Sequence, residues 1–267
     1  MIDIHCHILP GIDDGPGTLD ESVAMCRMAA GDGIRTVVAT PHYMFGGKSL
    51  TEKQLLDSVE SLNRTLEREK ITLTVLPGAD VAMFPGMADH VAREPWLTVN
   101  GTGKYVLTEF PYDTMPPQWK EFLLSLLDKG IIPVVTHPER HPWLMRHPEA
   151  LHAMAEMGVL IQVTAMSVTG GFGAEPRRFS SYLLKKNLVH LIATDAHGLE
   201  YRPPLLEHAV RKAAKIVGQE RARDLVMTIP SAVVAGRPVT PPIERDGERE
   251  KGGWFRRAFG RAIGGSR

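Results

Sequence analysis

Short aliphatic runs alternate along the chain with longer stretches whose apolar residues recur every three or four positions. The runs are IDIH (2–5), TVVAT (36–40), LTVLPGAD (73–80), YVLTEF (105–110), IIPVVTH (131–137), VLIQVTA (159–165) and HLIATD (190–195). Their continuous β-branched and aliphatic character predicts parallel strands covered on both faces. Between them, LTEKQLLDSVESLNRTLEREK places Leu55, Leu56, Val59, Leu62 and Leu66 on one helical face. LDESVAMCRMAAGDG opens with acids and closes with glycine, which is helix punctuation at both ends. QWKEFLLSLLDKG, HPEALHAMAEMG, RRFSSYLLKKN and PLLEHAVRKAAKIVG carry the same periodicity. Strand–helix alternation predicts an α/β fold with right-handed crossovers between parallel strands. Seven units suggest a barrel one unit short of eight, with an open doubly wound sheet as the alternative. No internal repeat is evident.

After about residue 240 the pattern stops. IERDGEREKGGWFRRAFGRAIGGSR is charged and then glycine-rich, so residues 1–240 are expected to form the domain and 241–267 a tail. Trp254, Phe255, Phe259 and Ile263 can share a face opposite Arg256, Arg257 and Arg261, a short basic amphipathic segment suited to a membrane surface or partner. Two flanking Gly-Gly pairs oppose a stable helix, which makes a solvated tail the plainer expectation.

Composition narrows the class without naming it. The 267 residues are 43% apolar and 23% charged, enough for a sizeable core. Lys plus Arg and Asp plus Glu number 31 each, so no overall field points to nucleic acid or a membrane. The first residues read as a strand rather than a signal peptide, and no apolar run is long enough to span a bilayer. Two cysteines, Cys6 and Cys26, are too few for a disulfide framework. A soluble cytoplasmic protein is expected.

Chemistry enters where the strands end. His5 and His7 close the first run, His42 follows the second, Asp80 closes the third, Glu109 the fourth and His137 the fifth; Asp195 and His197 close the last. Asp14 lies in the loop after the first. In a parallel barrel such ends meet on one rim. Imidazoles and carboxylates together suit Mn, Fe or Zn. The strand period of two sends His5 and His7 to one face and Cys6 to the other. So many ligands exceed the four to six that one ion takes, which implies two or three ions suited to displacement at phosphorus. Arg140 and Arg202 fall on the same rim, where guanidinium groups grip phosphate oxygens. Arg140, Arg202 and Asp195 are the expected catalytic residues. Asp13 reads as a turn residue, His141 as a rim residue of undecided role, and His90, His147, His152, His190 and His208 as structural.

HCH, TPH, the strand-end Glu, HPER and DAH resemble the polymerase and histidinol phosphatase (PHP) superfamily. More specifically, DIHCHILPGIDDGP, ATPHY, LTEFP, THPER and TDAHG resemble the bacterial manganese-dependent protein-tyrosine phosphatases of capsule and exopolysaccharide loci, the CpsB/YwqE type. The resemblance runs in matching order from about residue 1 to 240. It implies a distorted seven-stranded (β/α)7 barrel with a trinuclear centre. His5, His7 and Asp195 would hold one Mn ion, and Asp80 would bridge it to a second held by Glu109 and His137. Asp14, His42 and His197 would hold the third. Where the family typically has Glu in G-x-E, this chain has Asp80 in GAD. The resemblance further implies a metal-bridged hydroxide attacking phosphotyrosine, Arg140 and Arg202 steadying the phosphoryl group, and a tyrosine autokinase tail as substrate.

A thiol phosphatase is argued against, since its phosphate loop needs Cys-x5-Arg: six residues after Cys6 stands Ile12, and six after Cys26 stands Asp32. Two alternatives are a small-molecule phosphatase of the histidinol phosphatase kind and a weakly catalytic metal-binding scaffold for the kinase.

Overall fold

The computed structural model describes residues 1–44, 50–112 and 114–239; the expected tail, 241–267, lies outside them. Among the described residues the seven predicted runs become nine strands, because a short break divides the third run and a further short strand follows just beyond the second. They are β1 (Ile2–Cys6), β2 (Thr36–Ala39), β3 (His42–Tyr43), β4 (Thr74–Pro77), β5 (Asp80–Ala82), β6 (Tyr105–Glu109), β7 (Ile132–Thr136), β8 (Leu160–Thr164) and β9 (Leu191–Ala193). All pair in parallel, in a three-stranded sheet ordered β1-β2-β4 and a six-stranded sheet ordered β3-β5-β6-β7-β8-β9.

The breaks have local causes. Between β2 and β3 stands Pro41, which has no N–H for a ladder. Between β4 and β5 stands Gly78, where a Cβ would meet Val38 Cγ1 at 2.8 Å, so the close approach of the two segments requires glycine. The main chain still bridges the gap: Asp80 N donates to Pro41 O at 3.1 Å, and His42 pairs with Asp80. At the far end, β1 lies beside the segment after β9. Asp195 N donates to His5 O and His7 N to Ala196 O, both at 2.8 Å.

The expected helices are present at Leu19–Gly31, Glu52–Arg68, Trp119–Asp128, Glu149–Glu156, Ala174–Lys185 and Glu207–Val217. Thr18 with Glu21 and Thr51 with Gln54 form capping boxes at the first two. Leu55, Val59, Leu62 and Leu66 are buried as their spacing predicts. Leu56 is 43% exposed, because it sits about 100° around the helix from Leu55, the residue whose face continues at Val59, Leu62 and Leu66. Shorter helices at Met87–Arg93, Pro142–Arg146, Ala165–Thr169, Gln219–Asp224 and Thr228–Val234 span too few turns to show a period in the sequence. Ile4, Val38, Val81, Leu107, Val134, Ile161 and Ile192 are fully buried strand residues in the core that the helices cover. No described helix is long and apolar enough to cross a membrane.

Candidate metal centre

Parallel strands end on the same side, so the strand-end residues converge. His5 is fully buried; its Nε2 lies 3.3 Å from Asp195 Oδ1, 3.6 Å from Asp80 Oδ2 and 3.3 Å from His7 Nε2. His42 Nδ1 is 3.6 Å from Asp80 Oδ2 and 3.7 Å from Glu109 Oε2, while its Nε2 is 3.6 Å from Asp14 Oδ1. Asp14 Oδ1 also lies 3.3 Å from His197 Nε2. His137 Nε2 faces Glu109 Oε1 at 3.5 Å.

All nine residues expected as ligands therefore stand in one place. They fall into four overlapping groups whose ligand atoms lie within 4.8 Å of one another: His7, Asp14, His42 and His197; His5, His7 and Asp80; His5, His137 and Asp195; and His42, Asp80 and Glu109. His5, His7, His42 and Asp80 each belong to two groups, so the nine can be divided among ions in more than one way. His137 stands with His5 and Asp195 as well as beside Glu109.

The donor set fits cations. Both Asp80 oxygens, Glu109 Oε2 and His197 Nε2 are buried and have no hydrogen-bond partner, an arrangement that costs free energy unless a positive charge meets it. Burial, then Glu109 and Asp195, push the Asp80 carboxyl well above its usual range. Burial pushes the His5 imidazole down to about 4 and lowers His7 and His137 strongly. These rings are thus neutral near pH 7, the form that ligates metals. Burial opposes ionisation of Asp195 too, yet its carboxyl lies well below the usual carboxylate range; with its histidine neighbours neutral, the lasting positive charge beside it is the Arg202 guanidinium.

Two of the expected ligand residues adopt left-handed backbone: His137 at φ 34° and Asp195 at φ 51°. Non-glycine residues reach that region at a cost, and such strain clusters at functional sites. Asp195 is held there through its neighbour. The carboxylate of Asp3, buried beneath, accepts from Thr194 N at 3.0 Å, from the Thr194 hydroxyl and from His5 N.

Arg140 and Arg202 both reach Asp195 Oδ2, Arg140 at 2.7 Å. Phe172 covers the Arg140 guanidinium at 4.5 Å. Arg202 is set by its own loop, whose carbonyl accepts from His197 N and Gly198 N. Outside the cluster opens a cleft of about 410 Å³ that includes Asp14, His42, Glu109, His137, Arg140, Asp195 and Arg202 on one side, with Met83, Phe110, Pro111 and Tyr112 forming an apolar wall.

Cys6 is fully buried with Sγ toward Ala196 O, and burial pushes its thiol up. His141 bonds Pro111 O at 2.9 Å and accepts from Leu144 N, tying the cleft wall to the Pro142–Arg146 helix. Gln162, unremarked in the sequence, and Asp13, read there as a turn residue, also stand at the site. Gln162 bonds His5 Nδ1 at 2.9 Å; as the polar residue inside VLIQVTA, it did carry a signal. Asp13 bonds His7 Nδ1 at 2.6 Å, which its turn-like surroundings in GIDDG conceal.

Residues 1–235 match the family model described as capsular polysaccharide synthesis, CpsB/CapC. The tyrosine-protein phosphatase YwqE of Bacillus subtilis is 38% identical over 220 residues, 82% of this chain and 86% of that protein. The tyrosine-protein phosphatase CpsB of Streptococcus agalactiae serotype V is 32% identical, covering 84% and 94%. Among solved structures, a chain from the crystal structures of YwqE from Bacillus subtilis and CpsB from Streptococcus pneumoniae, described as unique metal-dependent tyrosine phosphatases, superposes with a TM-score of 0.85. Its sequence identity is 33%, covering 92% of this chain and all of that one.

Proposed function

The chain belongs to the CpsB/CapC family, and we propose that it is a metal-dependent protein-tyrosine phosphatase. The observation that carries this reading is a cluster of imidazoles and unpartnered buried carboxylate oxygens standing directly beside two arginines. In this reading His5, His7, Asp14, His42, Asp80, Glu109, His137, Asp195 and His197 hold two or three Mn ions. Bound there, the ions supply an acidified water as nucleophile and neutralise charge on the phosphoryl oxygens.

The protein's own groups do the rest. Arg140 and Arg202 converge on Asp195 Oδ2, so an arriving phosphoryl group meets two guanidinium forks already aimed at one point. Asp195 keeps both arginines turned toward the cluster while its other oxygen faces His5. Met83, Phe110, Pro111 and Tyr112 give the cleft an apolar side against which an aryl ring loses little by leaving water. That wall favours a phosphotyrosine over a phosphoserine.

Residues 1–240 are the catalytic unit in this proposal. Its fold is a distorted (β/α)7 barrel, supported by the main-chain bonds that β1 makes to Asp195 and Ala196. The substrate is a tyrosine-phosphorylated protein, specifically the tail of a tyrosine autokinase governing capsule or exopolysaccharide synthesis; the family's link to capsular polysaccharide supports this choice.

A Mn-supplemented assay with a phosphotyrosine peptide, a phosphoserine peptide and histidinol phosphate tests the reading. Preference for the phosphotyrosine peptide, lost in Tyr112→Ala through a raised KM, is the expected result. Preference for histidinol phosphate would overturn it in favour of a small-molecule phosphatase.

A further inference from the structure

Asp13 makes three hydrogen bonds at the edge of the cluster. Its Oδ2 accepts from His7 Nδ1 at 2.6 Å and from His42 N at 3.1 Å, and its Oδ1 accepts from Gly15 N at 3.0 Å. The side chain is 6% exposed. Main-chain N–H groups can only donate, so both Asp13 oxygens act as acceptors, and with Asp13 as a carboxylate the hydrogen shared with His7 sits on Nδ1. That leaves the lone pair of His7 on Nε2, the nitrogen 3.6 Å from Asp195 Oδ1. The bond to His42 N fixes the start of β3. The bond to Gly15 N bends the chain around Asp14, whose Oδ1 then lies 3.6 Å from His42 Nε2 and 3.3 Å from His197 Nε2, and 3.9 Å from His7 Nδ1, the nitrogen that bonds Asp13.

Packing leaves this loop no alternative path. A Cβ on Gly15 would meet His7 O at 2.5 Å, so the Asp13–Gly15 turn is pressed onto the end of β1. His5 provides a contrast, because its outer ring nitrogen bonds an uncharged partner, Gln162. A carboxylate in that position raises the basicity of the imidazole as a ligand, and an amide does so less.

We infer that Asp13 is a positioning residue that builds the His7, Asp14, His42 and His197 cation subsite. It selects the ring nitrogen that His7 presents, anchors His42 and turns Asp14 inward. This inference rests on the metal-dependent reading and adds to it that one subsite depends on Asp13 more than the others do.

The test is Mn(II) titration by calorimetry of the chelator-stripped full chain, with ions per chain counted by elemental analysis. Wild type, Asp13→Ala, Asp14→Ala and the double variant are compared. Asp13→Ala is expected to weaken one ion about 10- to 100-fold and the remaining uptake clearly less, because His7 and His42 also stand in neighbouring groups. Asp14→Ala should weaken the same ion, and the double variant should lose little more than the worse single one. Asp13→Asn should lose less, since its amide oxygen still accepts from His7 and His42 and only the Gly15 bond is spoiled. A folded Asp13→Ala protein with the wild-type isotherm overturns the inference, as does additive loss in the double variant. If the alanine variant does not fold, Asp13→Asn decides: a weakened single ion supports the inference, and a wild-type isotherm overturns it. Wild-type protein that takes up no divalent cation would instead overturn the metal-dependent reading itself.

Discussion

Arg140 Nη1 lies 2.7 Å from Asp195 Oδ2, and the other oxygen of that carboxylate faces His5 Nε2 at 3.3 Å. One buried carboxylate thus links the histidine cluster to the cationic rim. Without that link, a flexible arginine 26% exposed would have many rotamers away from the cleft.

Because the guanidinium plane rather than charge alone sets this geometry, Arg140→Lys is expected to lower kcat for a phosphotyrosine substrate about 100-fold, roughly 3 kcal/mol of transition-state stabilisation. Mn bound per chain should stay at the wild-type value. Steady-state kinetics with elemental analysis checks both, and full turnover in the lysine variant would reduce Arg140 to a counter-charge for Asp195.

Removing metal should cost stability as well as activity. Asp80, Glu109 and Asp195 repel one another where no hydrogen bond reaches Asp80. Chelator-stripped protein should be inactive, and Mn at about 100 times its dissociation constant should add about 3 kcal/mol. For a chain of this size that raises the unfolding midpoint by about 6–12 °C. A thermal scan with and without Mn reads it; equal midpoints and chelator-resistant activity would refute metal dependence.

Asp3 supports the site from below by accepting three hydrogen bonds from Thr194 and His5. Asp3→Ala leaves buried donors unmet and is expected to cost about 3–5 kcal/mol. Its denaturant midpoint should drop accordingly, and activity should fall because the left-handed turn at Asp195 loses its anchor. Asp3→Asn, which keeps an acceptor, should lie between the two.

His190 lies away from the site, and its Nδ1 accepts from Ile161 N. Burial, then Arg221, push its ring from 6.5 down to about 4. Between those values the unfolded chain binds a proton that the folded chain refuses, so stability falls as pH drops from about 6.5 towards 4. Comparing wild type with His190→Gln, the variant should lose less stability between pH 7 and pH 5, by up to about 2 kcal/mol. Parallel pH curves for the two proteins would rule this out.

The strands were legible because a parallel strand covered on both faces is written as an unbroken aliphatic run. The six longer helices were legible because each spans several turns of the 3.6 period. The split at Gly78 and the short strand beyond Pro41 were not anticipated: residue types marked each position, but only the approach of Val38 to Gly78 shows why the ladder is interrupted there. All nine candidate ligand residues were visible as chemistry at strand ends or in the loop after the first strand. Their grouping was not, since distances between His137, His5 and Glu109 are fixed by packing rather than by spacing along the chain.

The sequence by itself determined the parallel α/β layout, the candidate ligand types and the turn of Cys6 away from His5 and His7, because local periodicity controls which face a side chain takes. Only the tertiary structure decided what those side chains meet. It turned Asp13 from a loop residue into the partner of His7, brought Gln162 to His5 from 157 positions away, and set both arginines on one carboxylate oxygen. Such relations depend on how strands distant in sequence align, and no local pattern encodes that alignment.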